Sequence, residues 1–567
     1  MNDRLWSYKS LGAYGLFALA CVVYIWGLAP TISWRDSPEF VTVVHTLGIS
    51  HPAGSPTYAL LAKPMTFFPI GSVPLRVNLF SALFGALTVS LLFSLLYDIL
   101  EEAAQPVRFC ASISGALFLL VSESFWRFAE MAEVYTLQNF FIVLLMTILL
   151  KARACHQSAQ VGLYWLFAFL YGLSAGVHAT MAFFVPAFLL FIGLTAPRMF
   201  GAKGLAFLAF FFLLGFAVYL YLPIRSLGEP AFDWGDPQTF RQFLVHITDR
   251  NDSATHFTYS WWKLPHQVRI YIANLSNEFS TLGFALGLLG CIALFLRDKS
   301  LSLLFGLVFL GNVLFFIQSW TEGFGFLPSF VVFSLWIGYG VYTCFRLLAL
   351  LYQRHTLRIP RVAAHAFLLA GLLITPGQTF VRHVSAANLA GDYSAALYGK
   401  QLLDQLPPDA LFFSHYSWFP LLYLQHIERQ RPDVTIVLQG EVFFPRHFAF
   451  LSQKRFPNIH LITSPEPVVM STVDYFWLLC RLNEQDHPLF WDAGEEYQRI
   501  LEEYLLPRGL LFEFNPSNKV EITQAVLQNH WELLSRRPIV FYKARLIEKV
   551  LLFWQIKLTL LVSILNG

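Results

Sequence analysis

Apolar runs about as long as a bilayer is thick recur along this chain, and nothing else constrains its fold as strongly. A membrane-crossing helix needs about 20 mostly apolar residues. Runs at 11–29, 79–97, 109–122, 136–150, 163–177, 180–195, 204–222, 281–296, 301–319, 328–350 and 362–380 approach or meet that length. They predict a polytopic α-helical membrane protein with about eleven spans. Composition agrees: of 567 residues, 56% are hydrophobic and only 13% charged. A soluble domain averages about 25% charged residues and cannot hide so much apolar surface. A soluble enzyme, a disordered chain and a fibrous repeat are therefore excluded. The net charge of +3 gives no footprint for nucleic acid. The six cysteines are scattered without metal-ligand or redox spacing.

The first run passes through Pro30 and Thr31 straight into a polar motif. A signal peptide would have a shorter apolar core and a small-residue cleavage site. We read 11–29 as a retained first span. Basic residues in short loops mark the cytoplasmic side. With the N-terminus inside, Arg4, Lys9, Arg108, Lys151, Arg153, Arg198, Lys203, Arg297, Lys299, Arg346, Arg354, Arg358 and Arg361 all fall there. The loops 30–78 and 223–280 and the region from about 390 onward then lie outside.

The expected organisation is a membrane region over 1–385, an outer domain over 390–548 and an apolar C-terminal helix over 549–567. The middle part alternates short apolar stretches with helical ones. Strands are expected at 411–413, 434–438, 459–462, 489–491 and 510–514, and helices at 394–405, 417–429, 471–482 and 494–505. That alternation predicts an α/β domain with a mainly parallel sheet. It has no glycine-rich phosphate loop, so no nucleotide site is inferred. The run 549–565 contains Lys557 and reads as a twelfth span, an interfacial helix or a packed helix of the α/β domain, the last two being preferred.

Chemistry concentrates in residues 29–81. The stretch contains Asp36-Ser37-Pro38-Glu39, Leu47-Gly48-Ile49-Ser50-His51-Pro52-Ala53-Gly54-Ser55-Pro56 and Arg76-Val77-Asn78-Leu79-Phe80-Ser81. One reading is structural: Asp36 as a helix N-cap, Glu39 closing a capping box, and Pro38 in the first turn. The other is catalytic, with Asp36 as general base toward an attacking hydroxyl. A phosphate leaving group would need cationic partners, and Arg225, Arg76 and Arg35 are the outer-side candidates. The two readings are compatible, because a capping carboxylate can also face a pocket.

The stretch resembles the N-terminal signature of a large bacterial membrane family, long of unknown function. That family is similar to the eukaryotic transmembrane O-mannosyltransferase of IPT domains, within the GT-C class. Further resemblances are Glu133-Val134-Tyr135, Gly172-Leu173 with His178, Leu222-Pro223-Ile224-Arg225 and Trp234-Gly235-Asp236-Pro237. Departures are the bulky Ser33-Trp34-Arg35, Pro38 in place of a common glycine, and Ser55 in place of a common aromatic.

The resemblance implies an extracytoplasmic site that transfers a sugar, by analogy mannose, with inversion. The donor would be a polyprenyl phosphate sugar, and the acceptor a hydroxyl of an exported protein or of a lipid or surface glycan. It implies Asp36 as base, Glu39 as its assistant or as a group that helps place a metal, and Arg225 on the donor phosphate, with Arg76 kept from the residue reading as a second phosphate candidate. His51, Glu133, Tyr135 and His178 would contact substrate, with Glu130 a weaker candidate. A divalent metal is left open by the resemblance, and no other cofactor is implied. Two rival classes are a transporter and a non-enzymatic scaffold. A transporter usually shows paired halves and intramembrane charges, and a scaffold would tolerate loss of Asp36.

Overall fold

The structure is a computed structural model. It describes residues 7–155, 157–249, 261–319, 323–354, 360–414, 418–438, 459–460, 472–492 and 505–514. The chain forms two compact units: Met1–Pro30 with Val43–Gly391, and Thr31–Thr42 with Asp392–Gly567.

The first unit is helical, and each expected apolar run falls on a helix. Among the described residues, seven helices are long and apolar enough to cross a bilayer: Tyr8–Trp26, Val73–Ile99, Tyr135–Ala154, Ala202–Leu227, Leu264–Arg297, Lys299–Gln318 and Leu327–Gln353. The pair Gln105–Leu120 and Glu123–Ala129, bent by 68°, makes an eighth if it counts as one span. The sequence suggested about eleven. The difference lies partly in the runs 163–177 and 180–195. Their helices Ala159–Ala175 and Ala179–Thr195 are shorter than the roughly 20 residues a bilayer core requires.

The region 223–280, read from sequence as one polar loop, is partly helical, with elements at Tyr221–Leu227 and Phe240–Ile247. The helix Leu264–Arg297 is broken at Ser280, whose φ is +63°. Its second half coincides with the expected run 281–296.

Helices meet closely where glycine removes the side chain. A Cβ on Gly172 would overlap the Phe212 carbonyl, and one on Gly215 would overlap that of Phe169. The two helices carrying these residues therefore touch backbone to backbone, as small residues permit within membranes. Lipid-facing positions stay apolar: Leu11, Tyr14, Val22, Phe210 and Leu213 are large and exposed.

Polar groups separate to the two ends of the bundle. At one end Lys9 pairs with Asp98 at 2.7 Å, Arg108 lies 3.9 Å from the same carboxylate, and Arg153 pairs with Asp298 at 2.7 Å. Arg297 pairs with Glu102. These cations are among those the sequence placed on one side. The other end is knitted by loops. Ala29 N–H donates to the Glu130 carbonyl at 3.0 Å, and Leu389 N–H to that of Gly27 at 2.9 Å.

The second unit holds a five-stranded sheet of order β2-β1-β3-β5-β4. The strands are β1 Leu411–Ser414, β2 Thr435–Leu438, β3 Leu489–Trp491, β4 Leu505–Arg508 and β5 Leu511–Phe514. β1 is parallel to β2 and β3, whereas β5 is antiparallel to β3 and β4. Buried apolar runs such as Leu411-Phe412-Phe413 suit strands covered on both faces. Helix Ser394–Gln405 has its expected bounds, and Trp418–His426 and Thr472–Asn483 lie within three residues of theirs. Ile459 and His460 are not in a strand. The expected helices 494–505 (all but its last residue) and 549–565 lie outside the described residues.

Candidate functional site

Arg35 and the acidic pair belong to the second unit and the other candidates to the first. Asp36 immediately precedes helix Ser37–Thr46. Its carbonyl accepts from Phe40 N–H at 2.9 Å, as the carbonyl of an N-cap residue does. Asp36 is partly exposed, whereas Glu39 is fully buried. Arg35 before it has φ +74°, an uncommon backbone for a residue with a Cβ.

In the first unit, the motif Arg76-x-Asn78-x-x-Ser81 works as a latch. Asn78 Nδ2 donates to the Ala29 carbonyl at 2.8 Å, and its Oδ1 accepts from Ala132 N–H at 2.8 Å. Ser81 Oγ accepts from Glu133 N–H and donates to the Glu133 carbonyl, each at 3.3 Å. One helical face thus fixes both the end of the first span and the glutamate loop. Glu133 is buried beside Tyr58.

Glu130 is a second buried acid. Its Oε1 accepts from the Trp126 indole, and its Oε2 from Leu389 N–H at 2.9 Å. Burial outweighs those donors and pushes its pKa up to about 9. A Cβ on Gly27 would overlap Glu130 Oε1, so glycine is required there. Glu130→Ala would leave two buried donors unanswered, a loss of about 2–4 kcal/mol. Thermal unfolding in detergent is expected to show it as a clear fall in midpoint.

His51 and His178 are brought together by two interlocked loops. Ser55 Oγ donates to the Val177 carbonyl at 3.0 Å, Thr57 N–H to that of Gly176 at 2.9 Å, and Thr57 Oγ1 to that of Leu173 at 2.7 Å. His178 Nδ1 lies 2.7 Å from Thr180 Oγ1, which also accepts from Gln138 Nε2 at 2.7 Å. The Tyr135 ring is 5.6 Å from the His178 ring, and Trp234 is 6.1 Å from His51. Burial first, and the neighbouring His51 second, push the His178 pKa down to about 4. His178 is therefore neutral at physiological pH. An unfolded histidine takes a proton below about 6.5, while the folded one does not until about 4. Stability should thus fall as pH drops through that window, and His178→Gln should flatten that part of a melting-point profile.

Arg225 and Arg76 both serve the backbone. Arg225 Nε donates to the Leu47 carbonyl at 2.8 Å and Nη2 to that of Thr46 at 3.3 Å. Lys63 Nζ, absent from the sequence reading, donates to the His45 carbonyl. Burial first, and Arg225 second, lower its pKa. Two cations therefore converge on the carbonyls that end helix Ser37–Thr46, where the helix dipole favours positive charge. Arg76 Nη1 donates to the Thr66 and Phe68 carbonyls at 2.7 and 2.6 Å, and Nε to that of Ser72 at 3.2 Å. It braces its own loop. Of the Trp-Gly-Asp-Pro element, Trp234 N–H donates to the Ile49 carbonyl at 3.2 Å. Ser226 Oγ joins Asp233 and Asp236 at 2.7 and 2.9 Å. Among the described residues, no group of three or more His, Cys, Asp or Glu side chains is placed to hold a metal ion.

Residues 36–198 match the family described as the Protein O-mannosyl-transferase TMEM260 N-terminal domain. All the candidate residues except Arg35 and Arg225 lie in that interval. The chain is similar to the TMEM260 protein O-mannosyl-transferases. It is 27% identical to the Mus musculus protein over 481 residues, covering 79% of this chain and 65% of that one. It is 24% identical to the Dictyostelium discoideum protein over 470 residues, covering 74% and 56%. The chain thus spans under two thirds of the length of either relative. The fold resembles that of ArnT from Cupriavidus metallidurans, solved with undecaprenyl phosphate bound. The TM-score is 0.55 at 14% identity, over 89% of this chain and 98% of that one.

Proposed function

We propose that the chain is a membrane glycosyltransferase that moves mannose from a polyprenyl phosphate to a hydroxyl, with inversion. The observation that carries this reading is the match to the O-mannosyl-transferase N-terminal domain, which begins at Asp36 and takes in Glu39, His51, Glu133, Tyr135 and His178. The likeness to the ArnT fold supports the lipid-linked part, since that protein was solved with undecaprenyl phosphate.

The chemistry is an in-line displacement at the anomeric carbon. The acceptor oxygen forms a bond to that carbon, and the bond to the phosphate oxygen breaks. Asp36 takes the acceptor proton, with Glu39 beside it in sequence as its assistant. Polyprenyl phosphate leaves with the bonding electrons and an added negative charge. Arg225 is the cation for that charge, and Arg76 contributes to the same field. His51, His178, Tyr135 and Glu133 bind the sugar. A neutral His178, whose Nδ1 accepts from Thr180 N–H, offers its Nε2–H as a donor to a sugar hydroxyl. A divalent metal stays open, and its requirement is tested by adding a chelator to the assay.

A lipid-linked donor suits a site outside the cytoplasm, where nucleotide sugars are not supplied. The basic residues support a cytoplasmic N-terminus, with the acidic loop and the α/β unit on the outer side of a bacterial inner membrane. The acceptors are Ser or Thr of exported proteins. Mass spectrometry of exported proteins from cells with and without the gene tests this. The reading expects hexose adducts on Ser or Thr that vanish with the gene. Unchanged exported proteins with an altered surface glycan would overturn the protein acceptor.

A further inference from the structure

The sheet of the second unit has a topological switch point. From β1 the chain moves to β2 on one side and later to β3 on the other. Crossovers leaving in opposite directions open a crevice at the carboxyl ends of β1 and β3, the usual ligand position in open α/β sheets. Ser414 ends β1 and Asp492 follows β3. Ser414 Oγ donates to Asp492 Oδ2 at 2.8 Å, and both residues are buried. Tyr398, on helix Ser394–Gln405, has its hydroxyl pKa raised first by burial and then by Asp492.

The acidic segment reaches this same corner. The Trp34 ring packs 5.4 Å from the Tyr398 ring at 51°. Trp34 Nε1 donates to Ser394 Oγ at 2.7 Å, and the Ser394 hydroxyl passes the chain on to Asp392 Oδ1 at 2.5 Å. Ser394 N–H bonds the same carboxylate oxygen at 2.9 Å. Trp34 is thus held by a tilted ring contact and by a hydrogen bond whose acceptor is itself fixed. Between Trp34 and Asp36 stands only Arg35, with φ +74°. A strained residue of this kind persists only where both of its flanks are held. Helix Ser37–Thr46 holds one flank and the Trp34 anchor the other.

We infer that the switch-point corner of the α/β unit is a docking cleft for the segment Thr31–Thr42, and that Trp34 is a positioning residue for Asp36. The positioning half rests on the proposed role of Asp36 as base. The cleft that a nucleotide-binding relative would leave for its ligand is here given to a piece of the same chain. The α/β unit thereby becomes part of the catalytic scaffold, and Trp34, a departure from the family pattern, is the residue that couples it to the acid.

Docking and positioning are tested separately. For docking, Trp34→Cys with Ser394→Cys, in a background where the exposed Cys155 is serine, is treated in membranes with a short bismaleimide. Intramolecular cross-linking is expected, and its absence in folded protein would overturn the docking. For positioning, mannosyl transfer from polyprenyl-phosphate-mannose is measured in Trp34→Ala, Ser394→Ala and Ser394→Thr. The two alanine variants should lose about tenfold or more in kcat, as small misplacements of a reacting group do. Donor KM should stay put, and Ser394→Thr should restore the rate. Trp34→Ala added to Asp36→Asn should cost nothing further. Full kcat in Trp34→Ala beside an inactive Asp36→Asn would overturn the positioning role alone. Normal transfer by Asp36→Asn would overturn the base and the positioning role together, leaving docking to the cross-link.

Discussion

Asp36→Asn is expected to fold, insert and bind donor as wild type does, and to lose mannosyl transfer by about 10²–10⁴-fold, the usual contribution of a general base. Asparagine keeps the size and the capping ability of aspartate, so helix Ser37–Thr46 should still start at the same residue. What it lacks is a site for the acceptor proton. The comparison therefore isolates catalysis from structure, and a matching thermal midpoint would show that it has. Glu39→Gln should show a smaller loss, because the proton acceptor remains.

Arg225 should give the second large effect, with a different signature. Two of its donors hold the Leu47 and Thr46 carbonyls, so Arg225→Ala loses a helix cap as well as a cation. Removing one donor to a developing oxyanion costs about 10²–10³ in rate. Loss of exposed helix-end charge costs only about 0.3–1 kcal/mol of stability. Arg225→Ala should therefore lower the thermal midpoint slightly while kcat/KM for the lipid donor collapses. Arg225→Lys keeps the charge without the planar fork and should recover part of kcat/KM. A midpoint shift with unchanged donor kinetics would make Arg225 a helix cap and nothing more.

The sequence made the helices and strands visible because they rest on local periodicity. The apolar runs appear as helices, and Leu411-Phe412-Phe413, Val434–Leu438 and Leu489–Trp491 appear as strands of one sheet. Short runs were harder, since a helix of 17 residues and one of 20 differ little in pattern but differ in whether they cross a bilayer. Antiparallel β4 was missed because Leu505-Leu506-Pro507-Arg508 lacks alternation and carries a proline, tolerable at the sheet edge it occupies.

The side chains of the candidate site were less legible. Their identity followed from motif, but their partners lie far along the chain. Asn78 answers Ala29 and Ala132, Glu130 answers Leu389, and Trp34 answers Ser394. No local pattern encodes such pairings. Arg76 illustrates the cost. Its motif position suggested a phosphate ligand and gave no sign that its guanidinium also braces carbonyls four to ten residues away. Lys63 is the converse: a lone lysine before a proline gave no signal, and only the fold sets it beside Arg225 at a helix end.

The most direct test of the central claim uses the purified protein, labelled polyprenyl-phosphate-mannose and unfolded exported proteins as acceptors, with wild type and Asp36→Asn side by side. The account predicts label on Ser or Thr from wild type, release of polyprenyl phosphate in equal amount, and almost none of either from Asp36→Asn. Equal labelling by the two proteins would contradict it, and would reduce the acidic pair to the helix start that its position already provides.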